Sequence, residues 1–191
     1  MLVMLMGLRC SGKTTLAPLV ATRFACGWSD LDALVATKLG CAGVREAWER
    51  HGVSAFRDAE TRCLADVLHA ANTDGKHVLA LGGGTPTAPG AAALMQDART
   101  NHRAVTVYLR ARPETLQARL RSGIGGDALV DRPTLTGEDP VAEVPHVFMQ
   151  RDPLYMTLAD VVVQVDELPI EETMLEIQSE LVRQGRLTLL A

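Results

Sequence analysis

The sequence is short of several things, and each shortage removes a class of function. No apolar run nears the ~20 residues that a membrane-spanning helix requires, and the opening run MLVMLM is brief. That run lacks a basic lead-in and a small-residue cleavage site, so it does not read as a secretory signal. Basic residues are not in excess: 19 Lys and Arg stand against 23 Asp and Glu, a formal charge of −4. A general binder of nucleic acid or of an anionic membrane surface normally shows the opposite balance. Cysteine patterning is missing too. Cys10, Cys26, Cys41 and Cys63 form no C-x-x-C pair and no zinc spacing, so free thiols in a reducing cytosol are expected. There is no internal repeat and no low-complexity segment. The expectations are a cytoplasmic location, no nucleic-acid or membrane partner and, for so compact a chain, a monomer.

What is present is an alternating chain of 191 residues, 47% hydrophobic and 22% charged, sized for one domain (1–191) with a real core. Short apolar runs at 2–6, 27–32, 77–84, 103–111 and 159–165 read as strands. Helical patterns fill the intervals at 13–25, 33–51, 53–71, 91–99, 113–121, 141–158 and 170–183, with a split near His51 and Gly52. Continuously apolar strands separated by helices imply a parallel sheet covered on both faces, an α/β/α sandwich. One stretch, SGIGGDALVDRPTLTGEDP, is too long and too rich in Gly, Pro and acid for a mere connector. It is a mobile-lid candidate, about residues 122–139.

The motif that carries chemistry is GLRCSGKTT, Gly7 to Thr15, placed between the first strand and the first helix. It fits G-x-x-x-x-G-K-T, and the strand–turn–helix context makes that fit credible as a phosphate-binding loop. Glycines let successive backbone N–H groups turn inward, and the following helix adds positive potential at its N-terminus. Lys13 is placed for the β- and γ-phosphates, and Thr14 offers a hydroxyl to Mg²⁺. Asp30 and Asp32 follow at the tip of the second strand, where alternate residues of an extended segment share a face. One could hold Mg²⁺ through its waters and the other could accept an acceptor hydroxyl's proton or hydrogen bond; a helix N-cap is the plainer alternative. Gly82, Gly83 and Gly84 end the third strand, where ligands gather in a parallel sheet. Arg57 sits three residues before Glu60, which could orient it. Arg132 stands in DRP within the lid candidate and Arg151 in QRDPLY. As a set, these arginines suit an anionic acceptor and a γ-phosphoryl group.

With GLRCSGKTT, SDLD, AFRDAE, LALGGGT, DRPTLTG and RDPLYMTLAD in that order, the chain resembles the shikimate kinases, a branch of the nucleoside-monophosphate-kinase-like P-loop phosphotransferases. The resemblance runs from Leu2 to about Glu172. It implies a P-loop three-layer fold with a substrate-binding segment at about 31–72, and ATP and Mg²⁺ as cofactors. It implies transfer of the γ-phosphoryl group to the 3-hydroxyl of shikimate. Gly7, Cys10, Ser11, Gly12, Lys13, Thr14 and Thr15 would then cradle ATP, with Thr14 and Asp30 placing the metal. Asp32 would meet the acceptor hydroxyls, and Arg57 and Arg151, with Gly82, Gly83 and Gly84, would hold the acceptor near its carboxylate. Arg132 resembles the family's lid arginine, and Arg119 the arginine that stacks on adenine. Lys13, Asp32 and Arg132 would carry the catalysis. The chain departs from the family pattern at Cys10, where glycine is usual, at Val53, where an acid is usual, and in its longer lid stretch. A gluconate or related small-metabolite kinase shares the loop and the fold, and a non-catalytic nucleotide-binding regulatory module is a rival of another class. The D-x-D, F-R-x-x-E and G-G-G elements occurring together favour the first reading.

Overall fold

The structure, a computed structural model, describes residues 1–71, 75–123 and 139–185. The lid candidate lies almost wholly outside the described residues, and Arg132 lies outside them too. Five strands form one sheet: β1 (Leu2–Met6), β2 (Gly27–Asp30), β3 (His77–Ala80), β4 (Ala104–Arg110) and β5 (Val161–Gln164). Their order is β2-β3-β1-β4-β5 and every pairing is parallel, with Leu5 opposite Ala80 on one side and Val107 on the other. The helices are α1 (Lys13–Arg23), α2 (Leu31–Lys38), α3 (Val44–Ala70), α4 (Ala91–Thr100), α5 (Pro113–Arg121), α6 (Val144–Leu158) and α7 (Ile170–Arg183). A 3₁₀ turn covers Thr85–Thr87.

The central strands are apolar along their whole length because helices cover both faces, which leaves no side for polar alternation. Leu2 to Met6 are all buried, and β4 from Ala104 to Leu109 is buried likewise. Helix α1 lies on β2 and β3 and packs on α7, while α4 lies on β4 beside α3 and α6, and α5 packs on α6. None of the four cysteines is bonded to another, and only Cys63 is fully buried.

Three local differences from the sequence-based elements have physical reasons. The pattern read as one helix over 33–51 is two, α2 and the start of α3, parted by a turn in which Gly40 takes a left-handed φ of 67°. The expected split at Gly52 is a kink inside α3, with φ 78° and ψ 164°. Helix α2 begins at Leu31, immediately after β2, so Asp32 stands in a helix and not on an extended strand.

Candidate active site

The sheet order decides where the site forms. β1 and β3 are neighbours, so the phosphate loop after β1 and the glycines after β3 emerge side by side at the carboxyl end of the sheet. The loop is tightly built. A Cβ placed on Gly7 would lie 2.5 Å from Ser11 Oγ and 2.7 Å from the carbonyl oxygen of Leu109 on β4. Gly12 takes a left-handed conformation (φ 97°) as the N-cap of α1, and no side chain caps that helix. A helix start of this kind is where the motif seats an anion. Lys13 is buried, and its Nζ donates to the carbonyl of Leu8 at 2.8 Å, with Ser11 Oγ at 3.5 Å. Cys10 has φ 63°, the left-handed region that a side chain disfavours. The glycine usual at this position in the resembled family has its physical reason there.

The two aspartates divide their work differently from the strand-face expectation. Asp30 is extended (φ −107°, ψ 123°) and caps α2, its Oδ1 accepting from the backbone N–H of Asp32 at 2.9 Å. The capping alternative is therefore what the backbone adopts, and it does not withdraw Asp30 from the site. Its other oxygen, Oδ2, accepts from the Thr14 hydroxyl at 2.7 Å. A hydroxyl and a carboxylate joined at the mouth of the phosphate loop form a hard-oxygen set that fits Mg²⁺ shared with phosphates and water. Asp32, the second residue of α2, is buried and faces a different space.

That space is a cleft enclosing about 620 Å³, part of it open to solvent. Asp32, Arg57, Gly83, Gly84 and Arg151 all line it. Arg57, on α3, donates to Glu60 Oε2 at 2.5 Å and lies 5.7 Å from the centre of the Trp48 ring. Glu60 is almost fully buried, and its second oxygen accepts from Thr85 Oγ1 at 2.6 Å. Burial pushes the Glu60 carboxyl above its ordinary range, while Arg57 and the Thr85 hydrogen bond pull it back. The glycines make room for these side chains. A Cβ on Gly84 would overlap the Arg57 guanidinium, and one on Gly82 would strike the Asp32 carboxylate and come within 2.9 Å of Glu60 Oε1.

Arg151 reaches the cleft from α6. Its Nη1 donates to the carbonyl of Gly83 at 2.7 Å, and the Tyr155 hydroxyl donates to the same oxygen at 2.6 Å. The Tyr155 phenol is pushed up to about 12, chiefly by burial, so it stays a donor at neutral pH. Behind it, Tyr155 meets Tyr108 of β4 edge to face at 5.4 Å. Asp152 ties α6 to the same strand, accepting from the Tyr108 hydroxyl at 2.8 Å and from Arg110 at 2.8 and 2.9 Å. Successive residues on α6 thus differ in placement: Asp152 anchors the helix to β4, and Arg151 lines the cleft.

Among the residues expected at the site, Asp32, Arg57, Gly83, Gly84 and Arg151 come together in the cleft, while Lys13, Thr14 and Asp30 gather at the phosphate loop. Arg119 reaches the loop from α5, donating to the carbonyls of Cys10 (3.3 Å) and Val165. Val53, the departure on α3, is about half exposed and does not line the cleft. Several cleft residues were not foreseen. Trp48, Arg9 and Glu143 line the cleft from stretches whose patterns carry no site signal, and Tyr155 stands behind it, bonded to the Gly83 carbonyl. Only the PLY that follows Arg151 hinted at Tyr155.

Comparison with known proteins points to one family. A family model described as shikimate kinase matches residues 9–182. A shikimate kinase of Nitrobacter winogradskyi is 33% identical over 169 residues, covering 87% of this chain and 70% of its own. One of Rhodopirellula baltica is 33% identical over 178 residues, covering 91% and 86%. The crystal structure of shikimate kinase from Bacteroides thetaiotaomicron superposes with a TM-score of 0.76 at 28% identity, over 95% of this chain and 98% of that one. The Acinetobacter baumannii shikimate kinase in complex with shikimate gives a TM-score of 0.80 at 24% identity, over 98% and 95%, a likeness of fold.

Proposed function

This chain belongs to the shikimate kinase family, and from that premise we propose how its residues divide the work of phosphoryl transfer. The reaction moves the γ-phosphoryl group of ATP to the 3-hydroxyl of shikimate, giving shikimate 3-phosphate and ADP in aromatic amino acid biosynthesis. The observation that carries the division is the convergence of Asp32, Arg57, Gly83 and Arg151, from four separate stretches of chain, in one cleft beside the phosphate loop.

Phosphoryl transfer passes through a loose transition state, so catalysis rests on alignment and charge stabilisation. Gly7 to Thr15 offer backbone N–H groups to the phosphates, and Lys13 turns from the Leu8 carbonyl to the transferring oxygens. Mg²⁺, when bound, neutralises phosphate charge, and the Thr14–Asp30 pair would hold it. Arg57 and Arg151 grip the acceptor carboxylate as two forked donors, each fixed from behind by Glu60 or by the Gly83 carbonyl. Asp32 accepts a hydrogen bond from the acceptor hydroxyl and aims it at the γ-phosphorus; a loose transition state asks little base strength of it. Arg119 flanks the nucleotide, and Arg132 adds positive charge from the DRP stretch. The 191 residues are read as one kinase domain, acting as a monomer in the cytoplasm on a small molecule and not on nucleic acid or membrane. The acidic balance of the chain supports the last point, and among the described residues no helix is long and apolar enough to cross a membrane.

The test is ATP turnover with and without shikimate, and the product identified by mass spectrometry. The expected result is shikimate-dependent ADP formation with shikimate 3-phosphate as product. Turnover with gluconate and none with shikimate would overturn the acceptor assignment.

A further inference from the structure

The phosphate-loop motif leaves four positions open between its glycines, and Arg9 occupies one of them. Its side chain lines the acceptor cleft with Asp32, Arg57 and Arg151. There the guanidinium lies 3.5 Å from Glu143, which directly precedes α6 and whose side chain is 2% exposed. The pair therefore joins the phosphate loop to the start of the helix that carries Arg151. Building on the acceptor site proposed above, we propose that Arg9 and Glu143 form a selectivity pair. Arg9 supplies a third guanidinium to the cleft and Glu143 neutralises it, so that a monoanionic acceptor is held and its phosphorylated product is let go.

The charges lining the cleft motivate this. Among the described residues that line the cleft, Arg9, Arg57 and Arg151 face Asp32, Glu60 and Glu143, three of each sign. Arg57 is oriented by Glu60 and Arg151 by a carbonyl, so these two present their charge to a planar carboxylate. Arg9 instead lies beside a buried acid, Glu143. The acceptor carries one negative charge, which the two-arginine clamp satisfies. A phosphate monoester adds about −1.5 to −2 more at neutral pH. A third, uncompensated guanidinium beside the phosphate loop would hold that extra charge and delay release. Glu143 removes this attraction without emptying the space that Arg9 fills.

The experiment measures the inhibition constant of shikimate 3-phosphate and the shikimate KM in wild type, Glu143→Gln, Arg9→Met and the double variant. Glu143→Gln is expected to tighten product inhibition about three- to tenfold, more at low salt than at high. Its shikimate KM should change by less than about threefold, because the clamp of two remains. Adding Arg9→Met should cancel the tightening. A purely structural role for the pair could only loosen ligands, so tightening is a readout that damage does not produce. Product inhibition unchanged or weakened in Glu143→Gln, or tightening that persists in the double variant, overturns the proposal. If Glu143→Gln does not fold, Arg9→Met alone decides: product inhibition weakened more than the shikimate KM is raised, and more so at low salt, supports the pair; a parallel loss of both, or no change, refutes it. Arg57→Ala separates the two levels of argument. If it leaves the shikimate KM unchanged, the acceptor site itself is misplaced; if it raises KM while the Arg9 and Glu143 variants behave as wild type, only the selectivity pair fails.

Discussion

At Gly7 the space that glycine leaves is taken by the Ser11 hydroxyl and by a backbone carbonyl of β4, whereas at Gly84 it is taken by the tip of the Arg57 side chain. The two glycine stretches emerge from neighbouring strands and serve one reaction, yet they are built on different principles. The phosphate loop is nine consecutive residues whose backbone packs against its own Ser11 and a carbonyl of β4. The proposed acceptor cleft is lined by side chains drawn from α2, α3 and α6, and Gly82 and Gly84 leave room for them. Backbone sites of this kind accept any triphosphate tail. Selection of the acceptor therefore belongs to the side-chain half, where arginines and their counter-charges can be exchanged one at a time.

The largest expected effect lies in the phosphate half. Lys13→Ala removes the one long side chain that a backbone cradle cannot replace, and the loss of such a stabilising donor costs on the order of 10²–10³ in kcat. Lys13 is buried, but it hydrogen-bonds within the loop and spans no packed layer, so the melting temperature should hold. Steady-state kinetics on the folded variant check this, and near-normal kcat would refute the loop's role.

Next in size is a paired substitution that tests the comparison directly. In Gly7→Ala the new methyl meets a β4 carbonyl that cannot step aside, so a stability loss of about 1–3 kcal/mol is expected. In Gly84→Ala it meets a flexible guanidinium, which can swing away. Stability should fall less than in Gly7→Ala, because Glu60 keeps its hydrogen bond from Thr85, while the shikimate KM rises about tenfold because half of the carboxylate clamp is turned aside. Thermal unfolding and acceptor kinetics on both variants provide the check. Equal losses of stability at the two sites would erase the distinction drawn between them.

A third prediction concerns how α6 is held. Hydrogen bonding from Arg110, reinforced by Tyr108, keeps the Asp152 carboxyl below its ordinary range despite partial burial. A depressed carboxyl contributes stability that is complete above its unfolded pKa and disappears as pH falls through the folded value. Asp152→Asn should therefore be less stable than wild type at pH 6 by about 2 kcal/mol, or roughly 4–8 °C in a chain of this size. The difference should shrink as pH drops below about 4. A gap that stays constant between pH 6 and pH 3 would assign the loss to packing and not to the charge. The shikimate KM of the variant should rise more than its ATP KM, since Arg151 rides on the same helix.

The same division explains what the sequence disclosed. Strands were legible because a parallel sheet covered on both faces needs uninterrupted apolar runs, and β1, β3 and β4 supply them. The phosphate loop was legible because its parts are consecutive. Asp32 was singled out but placed on a strand face, since no loop residue marks the passage from Asp30 in β2 to Leu31 in α2. The turn after α2 was missed because the apolar pattern continues through Leu39. Arg9 and Glu143 carried no signal at all: one fills an open motif position, the other precedes an ordinary helix, and only the fold brings them together. Sites made of backbone can be read from adjacency, whereas sites made of side chains need the tertiary structure.

The smallest effect expected is at Cys10, where the phosphate half departs from its own rule. Its φ of 63° costs a residue with a Cβ about 1–2 kcal/mol. Glycine would remove that strain but lose roughly 0.5–1 kcal/mol to its greater freedom in the unfolded chain. Cys10→Gly should therefore raise stability by no more than about 1 kcal/mol, a shift of roughly 2–4 °C. Because glycine adopts the same φ, the Cys10 carbonyl can keep its hydrogen bond from Arg119, and the ATP KM should stay within about twofold, as expected where strain is relieved without moving the loop. The control is Cys10→Ala, which keeps the Cβ and the strain while deleting a sulfur packed against the core. It should melt at or below the wild-type temperature. If alanine stabilises as much as glycine does, the thiol and not the backbone was the source of the cost.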